Sequence, residues 1–245
     1  MTGNLVVCAD KAALNTKAAE CFRDIAKKAI FGSGTCTVSL SGGSTPKQLY
    51  ALLATPEWSK QVQWEHIHLF WGDERNVPID HADSNYAMVE RELLSKVPVP
   101  EKNVHRFPVE LGDANAVAAA YEKSLHEFFG TNGLPRFDLV LLGLGENGHT
   151  ASLFPHCPAL REAKRLIVAD WVEEVKADRL TMTAPLINAA RQIIFLVSGA
   201  NKAQVLHDVL NGPRQPEQLP AQLIAPAAGR LTWLADADAA RLTSS

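Results

Sequence analysis

The segment Phe137 to Pro155, Phe-Asp-Leu-Val-Leu-Leu-Gly-Leu-Gly-Glu-Asn-Gly-His-Thr-Ala-Ser-Leu-Phe-Pro, constrains the fold more than any other stretch of this chain. Leu139 to Leu142 is an unbroken apolar run, with Phe137 preceding it across one aspartate. A short run without polar alternation suits a strand covered on both faces, as in a parallel sheet with helices front and back. Gly143, Gly145 and Gly148 then permit tight turns beside a ligand, and His149 follows at the strand's carboxyl end, where α/β sheets gather their ligands.

The same glycines spell G-x-G-x-x-G, and Asp170 follows at about the ~20-residue spacing of a ribose-binding acid. A dinucleotide fold needs that turn to open into a long helix. Pro155 and Pro158 leave room for only about two turns, short of the ~10–12 residues of a crossover helix. Nicotinamide binding is therefore disfavoured.

The rest of the chain alternates in the same manner. Leu5 to Cys8 reads as a strand, and a helix follows from Lys11 to Ile30 on the stripe Leu14, Ala18, Phe22, Ile25, Ala29. Cys36 to Leu40 is the next strand, after which Thr45 can cap and Pro46 can open a helix through Leu53. Trp64 to Trp71 supplies a third strand, broken by Gly72 to Arg75, and Ser84 caps a helix through Leu94. A strand near Val104 to Phe107, a helix from Ala114 to Phe129 and the Phe137 strand come next. Arg165 to Asp170 and Leu180 to Thr183 read as short strands, then Pro185 to Ala190 as a helix, Ile193 to Val197 as a strand, Asn201 to Leu210 as a helix and Leu231 to Leu234 as a last strand. Asn211 to Pro220 reads as a proline-rich surface loop. The expected fold is α/β, a mainly parallel, Rossmann-like sheet with helices on both faces, in a single domain over 1–245 with room for a small subdomain excursion.

Composition narrows the function by exclusion. The 245 residues are 47% hydrophobic and 21% charged, enough for a sizeable core, and the net charge of -3 comes with no Lys/Arg stripe that would track nucleic acid. No apolar run reaches membrane-spanning length and no basic n-region opens the chain, so a cytoplasmic protein is expected, without membrane or nucleic-acid partners. Cys8, Cys21, Cys36 and Cys157 lack C-x-x-C spacing and read as reduced core residues. His66 and His68 alternate on the expected strand near Asp73, but two histidines without a third ligand at fixed spacing do not make a metal site, and none is expected.

Residues just after the strands form the candidate site. Ser41 to Thr45 offers small residues, hydroxyls and a helix start, a seat for phosphate built from Gly42, Gly43, Ser44 and Thr45. Arg179 and Lys202 can close on the same anion as fork and point charge. His149 is the group in the glycine loop that titrates near neutrality, with Glu146 and Asp73 available to orient or charge it.

Four motifs then converge: Ser-Gly-Gly-Ser-Thr-Pro at Ser41 to Pro46, Trp-Gly-Asp-Glu-Arg at Trp71 to Arg75 with Ser84-Asn85-Tyr86 downstream, Gly-His-Thr-Ala-Ser-Leu-Phe-Pro at Gly148 to Pro155, and Ser-Gly-Ala-Asn-Lys at Ser198 to Lys202. From about Thr37 to Ala203 the chain resembles the family that joins 6-phosphogluconolactonase with glucosamine-6-phosphate isomerase/deaminase, and its motifs look like the lactonase branch. The resemblance implies a deaminase/ribose-5-phosphate isomerase-like fold and a sugar-phosphate lactone as the small-molecule partner. It also implies that the serine-glycine loop, Arg75, Arg179 and Lys202 surround phosphate or sugar, with His149 at the reacting carbon and Asp73 and Arg75 beside it. The deaminase branch carries an acid a few residues after its histidine, whereas Thr150 to Phe154 offers none here. The family's usual Asp-Gly-His reads Asn147-Gly148-His149, so Asn147 can still accept a hydrogen bond but gives less charge support, which either Glu146 makes up or a lower rate reflects.

The mechanism expected from this is a water deprotonated by His149, attacking the lactone carbonyl, with the Gly42-Gly43 turn and Arg75 nominated to meet the oxyanion. There is no G-x-S-x-G elbow, and neither a metal nor an organic cofactor is required. Two rivals stand: the deaminase, revealed by ammonia release, and the phosphosugar-sensing domain of a transcription regulator, disfavoured by the retained histidine and by a chain that opens on its first strand. Monomer and homodimer are both compatible with the sequence.

Overall fold

The computed structural model describes residues 3–130 and 133–243. The apolar run after Asp138 is a central strand, as its composition requires. In chain order the strands are β1 (Asn4–Cys8), β2 (Cys36–Leu40), β3 (Ile67–Trp71), β4 (Asp73–Arg75), β5 (Val104–His105), β6 (Leu139–Gly143), β7 (Ile167–Val172), β8 (Ala177–Met182), β9 (Gln192–Val197) and β10 (Arg230–Asp236). The helices are α1 (Lys11–Ser33), α2 (Ser44–Leu53), α3 (Pro56–Ser59), α4 (Asn85–Glu92), α5 (Ala114–Phe129), α6 (Ala184–Asn188), α7 (Ala203–Asn211) and α8 (Ala237–Ala240).

Seven strands form one sheet in the order β1-β10-β9-β6-β2-β3-β5, every neighbouring pair parallel. The expected doubly covered α/β sheet is therefore the frame of the molecule. Its buried faces carry Trp64, Trp233, Phe70, Phe137 and Phe195 near zero exposure, with Phe195 stacked on Trp233 at 3.8 Å. Helix α1 starts where Asp10 accepts from the Ala13 N–H at 2.8 Å and ends at Ser33, three residues beyond the expected Ile30, where Gly34 takes the left-handed region. It buries Leu14, Ala18 and Phe22 against the sheet; full burial of a side chain such as Phe22 is worth roughly 2 kcal/mol. Cys8, Cys36 and Cys157 are buried and Cys21 is half-buried, all as free thiols.

Three expectations need correction. First, Gly72 to Arg75 is not a simple break: Asp73–Arg75 is β4, which pairs antiparallel with β8, itself antiparallel to β7, in a second sheet of order β4-β8-β7. The two short strands expected around Arg165 and Leu180 thus form a hairpin outside the parallel sheet, because four residues between them are too few for a crossover. Second, α2 begins at Ser44 with Gly43 (φ 100°) as its cap residue and no side-chain capping bond, so Thr45 is inside the helix and Pro46 in its first turn. Third, Trp64–His66 is a 3-10 turn preceding β3, so His66 and His68 do not share a strand face. His68 Nδ1 instead lies 3.1 Å from His105 Nε2, and no group of three metal-binding side chains occurs among the described residues. By contrast, the rejected dinucleotide pattern stays rejected: Asp170 accepts from the Ala159 N–H at 2.8 Å, and the glycine loop opens into no helix. The dinucleotide geometry is absent for the reason the prolines gave.

Among the described residues no helix is long and apolar enough to cross a membrane.

Candidate active site

A cavity of about 340 Å³ opens at the carboxyl ends of β2, β6 and β9, bounded on one side by the small antiparallel sheet. Gly42, Gly43, Ser44, Thr45, Asp73, Arg75, His149, Arg179 and Lys202 all line it. Residues up to 160 positions apart meet there because parallel strands end side by side at one edge of the sheet.

The serine-glycine loop follows β2 and runs straight into α2. The Tyr50 hydroxyl accepts from the Ser41 N–H at 3.0 Å and donates to the Ser41 carbonyl at 2.8 Å, pinning the loop to the helix it opens. Without a side-chain cap, the N–H groups of Ser44 and Thr45 are left to a ligand in the cavity, Pro46 having none and Lys47 donating to the Gly43 carbonyl at 3.1 Å.

The His149 loop is a closed structure. Gly145 N–H donates to the His149 carbonyl at 2.8 Å, and Thr150 Oγ1 donates to the Gly143 carbonyl at 2.9 Å. Gly148 sits at φ 81° with Leu219 packed where a Cβ would point, and its carbonyl accepts from the Ala221 N–H at 2.9 Å. The imidazole stacks on Phe154 with ring centres 4.2 Å apart.

Asn147 fixes the ring's tautomer. Its Oδ1 accepts from the His149 backbone N–H at 3.1 Å, a group that can only donate, while its Nδ2 donates to Glu174 Oε2 at 2.7 Å, a carboxylate oxygen. The amide orientation is thereby set, and Oδ1, 2.6 Å from His149 Nδ1, must accept there too. Nδ1 carries the proton and Nε2 keeps its lone pair. Burial, and then the charges of Lys202, Arg179 and Arg75, push the imidazole down to about 4, so it is neutral and basic at Nε2 near pH 7.

The expected orienting groups lie elsewhere. Glu146 accepts from Asn201 Nδ2 at 2.7 Å and lies 3.9 Å from Lys202 Nζ, at the cavity rim. Asp73 is buried and accepts from Ser152 Oγ at 2.9 Å; burial raises its carboxyl, against the pull of Arg75 and Ser152. Ser152, Asn85 and Glu174 were not singled out individually from sequence. The first two stand inside the quoted motifs, whereas Glu174 had no signal at all.

The cations come from three elements. Arg75 and Arg179 are direct cross-strand partners of β4 and β8, and each has a buried Nε with no protein partner. Burial and the charge of Arg75 lower Arg179 from its ordinary value. Arg75 is steadied at one end by donation to the Asp83 carbonyl, and its own backbone N–H donates to Glu74 Oε1 at 2.8 Å. Lys202 closes the 3-10 turn Ala200–Lys202 after β9, and burial lowers it. Its turn is held by Asp236, which accepts from Ser198 Oγ and from the Gly199 N–H. Three cations, a run of uncapped N–H groups and a neutral histidine suit an anionic substrate with an electrophilic carbon.

The family model for glucosamine-6-phosphate isomerases/6-phosphogluconolactonase matches residues 9–233. The chain belongs to this family. Family relatives include the 6-phosphogluconolactonase of Synechocystis sp., 44% identical over 98% of both chains, and that of Nostoc sp., 40% identical over 98% of both. Among solved family structures, 6-phosphogluconolactonase from Trypanosoma cruzi superimposes with a TM-score of 0.89 at 30% identity, covering 100% of this chain and 98% of the other. The mostly parallel, Rossmann-like sheet described above matches the fold of this family.

Proposed function

We propose that the protein is a 6-phosphogluconolactonase, hydrolysing 6-phospho-D-glucono-1,5-lactone to 6-phospho-D-gluconate in the oxidative pentose phosphate pathway. The observation that carries this reading is the tautomer of His149, whose Nδ1–H is held by Asn147 Oδ1 so that Nε2 is the basic atom. Nε2 takes a proton from water as the water oxygen bonds to C1 of the lactone. The carbonyl becomes a tetrahedral oxyanion, met by Arg75 or by N–H groups of the Gly42-Gly43 turn. Collapse breaks the bond from C1 to the ring oxygen, which leaves with the proton from His149. Ser44, Thr45, Arg179 and Lys202 hold the phosphate and sugar hydroxyls. A lactone is already an activated ester, so this sequence consumes only water and calls for no cofactor. The reading assigns the activity to one cytoplasmic domain over 1–245, working as a monomer or homodimer.

The test generates the lactone in place by oxidation of glucose 6-phosphate and subtracts its spontaneous opening. Accelerated opening by the wild type, with a loss of ~100-fold or more in His149→Ala, is expected. No acceleration by the wild type overturns the lactonase reading, and ammonia release from glucosamine 6-phosphate would then favour the deaminase. Unchanged activity in His149→Ala would remove the histidine from its role.

A further inference from the structure

Asn147 is a neutral residue at the position from which a histidine base is oriented, and its amide nitrogen has a carboxylate acceptor. Nδ2 donates to Glu174 Oε2 at 2.7 Å. Glu174 lies in the turn joining β7 to β8, closed by Val175 N–H to the Val172 carbonyl at 3.2 Å and Lys176 N–H to the Glu173 carbonyl at 3.3 Å. Lys176 takes a left-handed φ of 46°, which bends the hairpin tip tightly, and Glu174 and Val175 reach the wall of the cavity. The hairpin that supplies Arg179 thus also brings a carboxylate to the amide behind His149.

We propose that Glu174 is a positioning residue for the reaction assigned above, acting through Asn147 to lock the His149 tautomer and to supply negative charge at one remove from the imidazole. This rests on the lactonase reading only for its kinetic consequence. The first effect is geometric: an acceptor-only carboxylate prevents the Asn147 amide from inverting, and an inverted amide would present a donor to Nδ1. The second is electrostatic. As His149 takes a proton from water it becomes an imidazolium surrounded by Lys202 from the turn after β9, Arg179 from β8 and Arg75 from β4, all of which oppose that charge. Phe154 covers one ring face and contributes no charge. Asp73 is engaged by Ser152, and Glu146 by Asn201 and Lys202. Glu174, polarising Asn147, is the carboxylate connected to the ring by hydrogen bonds. A direct Asp–His pair would need no such relay.

The test uses the full chain as wild type, Glu174→Gln, Asn147→Asp and the double variant. Readouts are the steady-state constants for lactone opening and the His149 pKa from ring NMR titration of the free protein. Glu174→Gln is expected to lower kcat by about 3- to 10-fold with KM nearly unchanged, and to lower the His149 pKa by about half a unit, the scale of one charge screened at this remove. In the Asn147→Asp background a carboxylate contacts the ring directly and Glu174 becomes its like-charged neighbour. There Glu174→Gln is expected to leave kcat unchanged or raise it. An equal loss in both backgrounds, or an unmoved His149 pKa in the single variant, overturns the proposal. If the wild type fails to open the lactone, the functional reading falls while the titration still decides the role of Glu174.

Discussion

Gly145 leaves no space between its own backbone and the imidazole of His149: a Cβ built there would stand 2.0 Å from Nδ1 and 2.2 Å from Cε1. The glycine is thus a condition of where the proposed base sits, independent of any turn it permits. Gly145→Ala should swing the ring away from Asn147 and cost at least ~100-fold in kcat, at an overpacking cost of about 1–3 kcal/mol in stability. Kinetics together with a urea unfolding curve check this. Wild-type turnover in a folded variant would show that the ring's position is not required.

Acid should affect the protein in two distinguishable ways. For catalysis, His149 pushed down to about 4 keeps Nε2 unprotonated well below the ordinary 6.5, so enzyme-dependent opening should stay level from pH 7 to near 5 and fall as pH approaches 4. A pH–rate profile breaking near 6.5 would contradict the burial and cation effects named for it.

For stability the sign is equally fixed. The folded-state pKa of His149 lies below its unfolded value, and that of His105 is lowered likewise to about 4, by burial and by His68. Between 6.5 and 4 these two side chains bind protons in the unfolded chain that the native state refuses, so their contribution to stability is full above 6.5 and declines as pH falls through that window, outweighing the opposite contribution of the raised Asp73 and Glu74 carboxyls. Thermal melts at pH 7.5, 5.5 and 4.5 should descend in that order, and His105→Phe should flatten part of the slope.

Arg179→Gln removes one of two like charges facing each other across β4 and β8, together with a fork that has a free buried Nε. KM for the lactone should rise by ~10-fold or more while the melting temperature holds or climbs slightly. A fall in melting temperature with KM unchanged would assign Arg179 to the scaffold.

Glu74 is buried and accepts from four donors: the backbone N–H groups of Arg75, Asn85 and Tyr86 at 2.7–2.8 Å, and Ser84 Oγ at 3.3 Å. It joins β4 to the start of α4 and so holds Arg75 at the cavity. Glu74→Gln turns an amide NH₂ toward N–H groups and should cost about 2–3 kcal/mol, read as a lower urea midpoint. A shift below half that size would mean that the donors find other partners.

The parallel sheet was legible because its signals are local. Leu139 to Leu142 reads as covered on both faces, and α5 runs over the residues its alanine-rich composition suggests. Eight of the nine candidate residues also shared a simple signal, each following or ending a strand, and such positions converge at one edge; Arg179, inside β8, did not carry it. What stayed hidden was pairing between distant short segments. Three residues, Asp73–Arg75, carry too little pattern to be read as a strand, and their partner β8 is 100 residues away. Asn147 was legible as an acceptor for His149, but the carboxylate behind it was not, because sequence proximity ranks Glu146, three residues from the histidine, above Glu174 at 25. The hairpin turn that delivers Glu174 depends on that same unread pairing.

The strand order also dictates when this molecule can be finished. β10, the last strand in the chain, lies between β9 and β1, and β1 has no other partner in the sheet. During synthesis the first strand therefore leaves the ribosome with an open edge and must wait for some 220 residues before its neighbour arrives. Asp236, at the tip of that same late strand, restrains Ser198 and Gly199 beside Lys202. The turn bearing Lys202 is thus completed only when the sheet closes, so a nascent chain that already holds His149 and both arginines still lacks a fully braced pocket.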